Sequence, residues 1–149
     1  MSRRTSRPRR TAAPQPGPPR ISSAAPCPCG LQASYGDCCG RLHAGTVAAS
    51  TCEALMRSRY AAFVVQDAGY LLRTWHPESR PPAIDFDPAM RWERLEILAT
   101  TEGSAFHTTG TVTFRAHYTD GGRPGSLHEQ SRFVREQGAW VYRTAVFVE

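Results

Sequence analysis

Four of the chain's five cysteines fall in one short stretch, "CPCGLQASYGDCCG", residues 27–40. Cys27, Cys29, Cys38 and Cys39 make the pattern C-x-C-x8-C-C. Thiolates are soft donors, and four of them suit a tetrahedral zinc ion. Both cysteines of a C-x-C pair reach one ion if the backbone between them turns, and Gly30 eases that turn. Vicinal cysteines normally point apart, so Cys38 and Cys39 both ligate only where a tight turn or helix end redirects one of them. Gly36, Asp37 and Gly40 bracket that pair. Two other chemistries compete with zinc. A disulfide is disfavoured by the strain of bonding vicinal residues and by a reducing compartment. A redox centre would usually show C-x-x-C beside a βαβ unit, and there is none. His43 is an alternative ligand to Cys39. Cys52 stands apart and reads as a small buried residue.

A second set of residues could line a pocket: Arg57, Arg59, Tyr60, Trp75, His76, Glu129 and Arg132. Tyr60 and Trp75 lie on apolar helix faces, where core packing with a hydrogen-bonded polar atom is the plain reading. His76 precedes Pro77 and is expected at a helix C-terminus, facing the dipole. Its alternative role is a general acid or base. Glu129 shares a strand face with Leu127 and Phe133. A carboxylate there needs a partner, and Arg57 or Arg59 is the expected one, as a structural ion pair or a ligand-polarising dyad. His107, Arg115 and His117 fall on the face opposite Phe114, towards solvent or a subunit interface. There is no Ser-His-Asp order, phosphate loop or paired-carboxylate motif. No positive sign of catalysis stands out.

The elements that must position these residues follow from periodicity. Met56, Tyr60, Phe63 and Val64 recur at helical spacing within residues 50–76. Asp67 can cap a second helix carrying Ala68, Leu71, Leu72 and Trp75, with Pro77 as its stop. "PESRPPAIDFDP" reads as a loop. From residue 91 the period becomes two. Leu95, Ile97 and Ala99 share one face, as do Phe106, Thr108, Gly110, Val112, Phe114, Ala116 and Tyr118. "TDGGRPG" is a turn, and "QG" at 137–138 makes a tight hairpin before the last strand. Helices followed by consecutive antiparallel strands imply an α+β fold with helices on one face of a curved sheet.

Of the 149 residues, 18 are basic and 13 acidic, giving a net charge of +5. Six arginines lie in residues 1–26, which hold no acid, so the other 12 basic residues face all 13 acids. The basicity belongs to the N-terminal segment, not to the body. That segment is rich in Pro and Arg and is expected to be a disordered tail. Its Arg-Arg pairs invite a twin-arginine reading, but no apolar core follows them. No run approaches the roughly 20 apolar residues of a membrane helix. A cytoplasmic protein without membrane contact is the expectation.

"CPCG" followed by "CCG" resembles the SEC-C motif, a short zinc module. "LMRSRYAAFVVQDAGYLLRTWHP", residues 55–77, and "HEQSRFVREQGAWVYR", residues 128–143, resemble the YchJ-like proteins, uncharacterised protein family 0225. The resemblance spans roughly residues 27–143. It implies an SEC-C module at 27–45 holding one structural zinc, ahead of a nuclear-transport-factor-2-like (cystatin-like) α+β cone at 46–149. It implies no activity. Metal-built recognition of a protein or ribonucleoprotein is the expected role, and a small-molecule site in the cone, with His76 or Glu129 as acid–base group, is the alternative. Pairing of two copies through the sheet suits such a fold. "CGLQ" stands where the motif usually has "CGSG", so Leu31 and Gln32 replace small residues.

Overall fold

The computed structural model describes residues 21–148. The expected tail therefore lies mostly outside the described residues. Residues 21–26, assigned to that tail from composition, are part of the cysteine module. Ser23 and Ala25 accept backbone hydrogen bonds from Gly36 and Tyr35, both at 2.8 Å, and Ile21 packs against the cysteines.

A 3₁₀ turn, Tyr35–Asp37, leads into α1, Cys39–His43. Helix α2 spans Cys52–Val65 and α3 spans Ala68–Arg73. Four strands follow: β1 Met90–Glu102, β2 Thr109–Asp120, β3 Arg123–Glu136 and β4 Ala139–Phe147. They form one sheet in the order β1-β2-β3-β4, every pair antiparallel. The α+β architecture expected from the order of periodicities is the one observed.

Thr51 caps α2 by accepting from the Ala54 amide at 3.0 Å. The helix ends at Gln66, whose φ of 61° is the left-handed conformation that closes many helices. Asp67 caps α3 through the Tyr70 amide at 3.0 Å. Helix α3 stops at Arg73, four residues before Pro77. Trp75 is therefore not helical. It pairs with Tyr142 of β4 in a parallel bridge, where Tyr142 N donates to Thr74 O and His76 N to Tyr142 O, both at 2.8 Å.

The hairpin turns use the residues that positive φ demands. Gly121 and Gly122 join β2 to β3, and Gln137 and Gly138 join β3 to β4, all four with φ between 53° and 87°. Pro124, expected in the first of these turns, lies inside β3 opposite Thr119. Strand β4 reaches only residues 129–136 of β3, so the missing amide of Pro124 breaks no ladder.

Two bulges in β1 change its faces. Glu93 and Leu98 are extra residues, skipped between Trp92 and Arg94 and between Ile97 and Ala99. Trp92, Leu95 and Ile97 pack against the core. Ala99, expected beside Leu95 and Ile97, turns outward opposite Thr113, and Thr100 takes its place opposite Val112. Leu98 is left exposed.

The core lies between the sheet and α2, from Leu55, Met56 and Tyr60 to Val112, Phe114, Phe133 and Trp140. The start of α2 docks where two glycines meet: Cys52 N donates to Gly103 O at 2.9 Å. A Cβ on Gly110 would stand 2.6 Å from the Gly103 nitrogen and 2.8 Å from the Cys52 sulfur. Cys52 is buried there as packing, and burial pushes its thiol up to about 12.

Candidate metal centre and cavity

The loop from Cys27 to Cys39 closes on itself. Cys27 N donates to Ala33 O at 2.9 Å and Gly30 N to Cys27 O at 3.2 Å. Gly30 has φ +93°, as the turn after C-x-C requires. Cys38 sits between the 3₁₀ turn and α1 with φ −125° and ψ −114°, outside the helical region. That break redirects one of two vicinal side chains. A Cβ on Gly40 would stand 2.6 Å from Tyr35 O, so only glycine fits behind the pair.

The sulfurs of Cys27, Cys29, Cys38 and Cys39 all lie within 4.8 Å of one another. Cys29 and Cys38 are 3.6 Å apart, and all four cysteines are free thiols. Around a tetrahedral ion bound at about 2.3 Å, sulfurs stand about 3.8 Å apart. The donor set thus fits a thiolate-bound metal. The electrostatics agree. Hydrogen bonds from Cys29 and Cys39 hold the Cys27 thiol far below its ordinary value. Burial and the neighbouring sulfurs push Cys38 up, and hydrogen bonding to Cys27 and Cys29 pushes Cys39 up. One thiolate is easily formed and further negative charge is resisted, which a divalent cation would reverse.

His43 is not among the clustered donors. Its Nε2 lies 2.8 Å from Ser58 O of α2, an acceptor only, so Nε2 carries the proton. Nδ1 then accepts from the Tyr35 hydroxyl at 2.5 Å. The ring lies 4.6 Å from that of Tyr70, and burial pushes its pKa down. His43 is a neutral strut between module and helix. Arg57 is another: it donates to Cys29 O at 2.7 Å and pairs with Glu53 at 2.9 Å. Arg73 donates to His43 O at 2.7 Å. Cys27, Cys29, Tyr35 and Cys39 share a small core with Ala61 and Val65 of α2.

On the sheet side of α2 lies a cavity of about 150 Å³. Of the pocket candidates, Arg59, Tyr60, Trp75 and Glu129 line it. Arg57, His76 and Arg132 do not. Arg57 faces the cysteine module. His76 lies beyond α3, with Nε2 3.4 Å from Glu136 and Nδ1 accepting from the Glu78 amide at 3.0 Å. Arg132 is exposed on the outer sheet face, between Thr111 and Thr144.

The expected ion pair to Glu129 is absent among the described residues. Arg59 is buried and spends one nitrogen on Leu71 O (2.8 Å) and Thr74 Oγ1 (2.7 Å). Its guanidinium carbon stands 5.1 Å from the Trp75 ring centre and 4.8 Å from that of Tyr142. Burial lowers its pKa to about 10. Glu129 keeps its inward place on β3, and burial raises its pKa. Trp92 and Tyr142 also line the cavity. Alternation with Trp140 on β4 would have found Tyr142. Trp92 was hidden by the bulge at Glu93.

A family model, "YchJ, middle NTF2-like domain", matches residues 51–145. A UPF0225 protein of Streptomyces coelicolor is 66% identical over 124 residues, covering 83% of this chain and 97% of its own. The chain belongs to the YchJ-like UPF0225 family. Within the family, a protein of Corynebacterium glutamicum is 50% identical over 79% of this chain and 94% of its own. Two solved structures are similar in fold. An SEC-C motif-containing protein from Rhodopseudomonas palustris matches with TM-score 0.73 and 37% identity, over 83% of this chain and 98% of that one. One from Psychrobacter arcticus matches with TM-score 0.69 and 26% identity, over 85% of each chain. The NTF2-like domain and the N-terminal cysteine cluster agree with those neighbours. No helix among the described residues is long and apolar enough to cross a membrane.

Proposed function

We propose that this protein is a zinc-dependent interaction protein rather than a catalyst. Cys27, Cys29, Cys38 and Cys39 hold one structural zinc ion, and the loop between them presents a recognition surface to a protein or ribonucleoprotein partner in the reducing cytoplasm. The observation that carries this reading is the convergence of four sulfurs within 4.8 Å in a segment with little core of its own. Leu31 stands on that loop with 47% of its surface exposed. Leu31 stands where the motif usually has a small residue, so it is the side chain on which the proposed contact is tested. The alternative read from sequence, an acid–base enzyme, loses His76 from the cavity, since that ring lies beyond α3 against Glu136.

The test compares wild type, Leu31→Ser and a Cys38→Ser/Cys39→Ser double variant in a pull-down under reducing conditions, with metal analysis of each. One zinc per wild-type chain is expected. Leu31→Ser should keep the zinc and lose the captured partner, and the double variant should lose both. Protein purified under reducing conditions without stoichiometric zinc, or equal capture by all three, would refute the proposal.

A further inference from the structure

The cavity beneath α2 holds polar groups that the fold itself does not satisfy. The Trp75 indole nitrogen is fully buried and has no hydrogen-bond partner among the described residues. A buried donor left unpaired is costly, and each such group calls for an explanation. Glu129 opens on the same cavity without an ion pair. Arg59 brings a buried cation that faces rings rather than a carboxylate. Tyr142 lines the same cavity, and burial raises its pKa, with Glu129 adding to the rise and Arg59 opposing it.

These groups define a ligand. The Trp75 N–H and the Arg59 guanidinium offer donors only, so the end near them takes an acceptor. The Glu129 end takes a donor. An anion would meet Glu129 and a cation would meet Arg59, so the ligand is neutral overall. The walls, including Tyr60, Trp92 and Phe114, are aromatic or apolar and suit a flat ring. A volume of about 150 Å³ admits one ring with a substituent, since a cavity of about that size accepts benzene.

We infer that this cavity is a binding site for a neutral single-ring molecule carrying a carbonyl and an N–H, of the aromatic carboxamide, lactam or pyrimidinone class. The carbonyl accepts from Trp75 Nε1 and the Arg59 side, and the N–H donates to Glu129. The site is separated from the cysteine module by α2, so it stands or falls independently of the zinc reading.

The experiment is a titration of the full chain, followed by the indole N–H signals in NMR, with nicotinamide and uracil as probes. Benzoate, benzylamine and toluene are the anionic, cationic and apolar controls. At least one of the two probes should shift the Trp75 indole signal saturably, with a dissociation constant of about 1 mM or tighter, within reach of a ligand of about nine heavy atoms. Glu129→Leu and Trp75→Phe should each weaken binding about tenfold, since each removes one hydrogen bond to the ligand. A melting curve establishes that both variants are folded. Neither probe binding, or toluene, benzoate or benzylamine binding as well as the probes, would overturn the assignment. So would probe binding that both folded variants leave unchanged.

Discussion

Glu129 is an acid that the fold half-buries without an ion-pair partner among the described residues. Its inward position follows from strand parity alone: it pairs in register with Phe114 and shares its face with Leu127, Ser131 and Phe133. Burial raises its folded pKa above the ordinary carboxylate value near 4.5. The sign of the effect on stability follows. Below the unfolded value both states hold the proton and burial of the neutral acid costs little. As pH rises through the folded value, the native state must either keep a proton or bury a charge, and stability is lost. Glu129→Gln removes that titration. The variant should be more stable than wild type at pH 7 by at most about 1 kcal/mol, since the half-exposed carboxylate keeps much of its hydration. The gap should close as the pH is lowered to about 4. Denaturant melts at the two pH values measure it. A variant that is less stable at pH 7, or a gap independent of pH, would show that Glu129 is held by a partner as a charge.

Helix α2 is the element on which both sites depend, and it is buried on two sides. One side meets the sheet through Met56 and Tyr60. The other meets the cysteine module through Ala61 and Val65. The first side was legible in the sequence because Met56, Tyr60, Phe63 and Val64 form a large apolar stripe at helical spacing. The second was not, because it is made of small and polar residues, Ser58 and Ala61 among them, that periodicity does not separate from a solvent face. The same limit explains Arg57 and Arg59. Two residues apart on the helix, they point to different neighbours, one to Cys29 and one to Trp75 and Tyr142. The consecutive antiparallel strands and the inward faces of β2 from Gly110 and of β3 from Leu127 were legible, but Phe106 lies exposed ahead of β2 and Pro124 inside β3, and β1 was not legible beyond Ile97, because a bulge leaves no mark in a polar-apolar pattern. Ala61 tests the hidden side. It is fully buried, so Ala61→Leu overpacks the junction and should cost about 1–3 kcal/mol. It should also speed loss of zinc to a chelator, because the module would be pushed from its seat. Unchanged chelation kinetics in a destabilised variant would confine the junction to a packing role.

At the scale of the whole molecule, the module and the sheet meet chiefly through α2, with Arg73 of α3 and Leu42 of α1 adding to the junction. The sheet is held by consecutive antiparallel pairings, and its core with α2 contains none of the four clustered cysteines. The module's own core is small and includes three of those cysteines. Its other ties are Leu42, buried in the sheet-side core, and three polar contacts: Arg57 to Cys29 O, His43 to Ser58 O and Arg73 to His43 O. Structural zinc contributes on the order of 10 kcal/mol to an isolated small motif, more than a few hydrogen bonds at about 1 kcal/mol each can replace. On the proposed zinc reading, a chelator under reducing conditions should therefore unfold residues 21–45 while β2 and β3 stay folded. Helix α2 should respond unevenly. Its module side loses partners at Ala61 and Val65, while its sheet side keeps Met56 and Tyr60, so the amides of its C-terminal half should lose part of their protection and those near Leu55 should not. Hydrogen exchange resolved by peptide reads all three regions in one experiment. Loss of protection in β2 and β3 in step with the module would make the protein a single cooperative unit. Full protection of residues 21–45 without metal would mean that the polar ties and the small core suffice, and that zinc is not what builds the module.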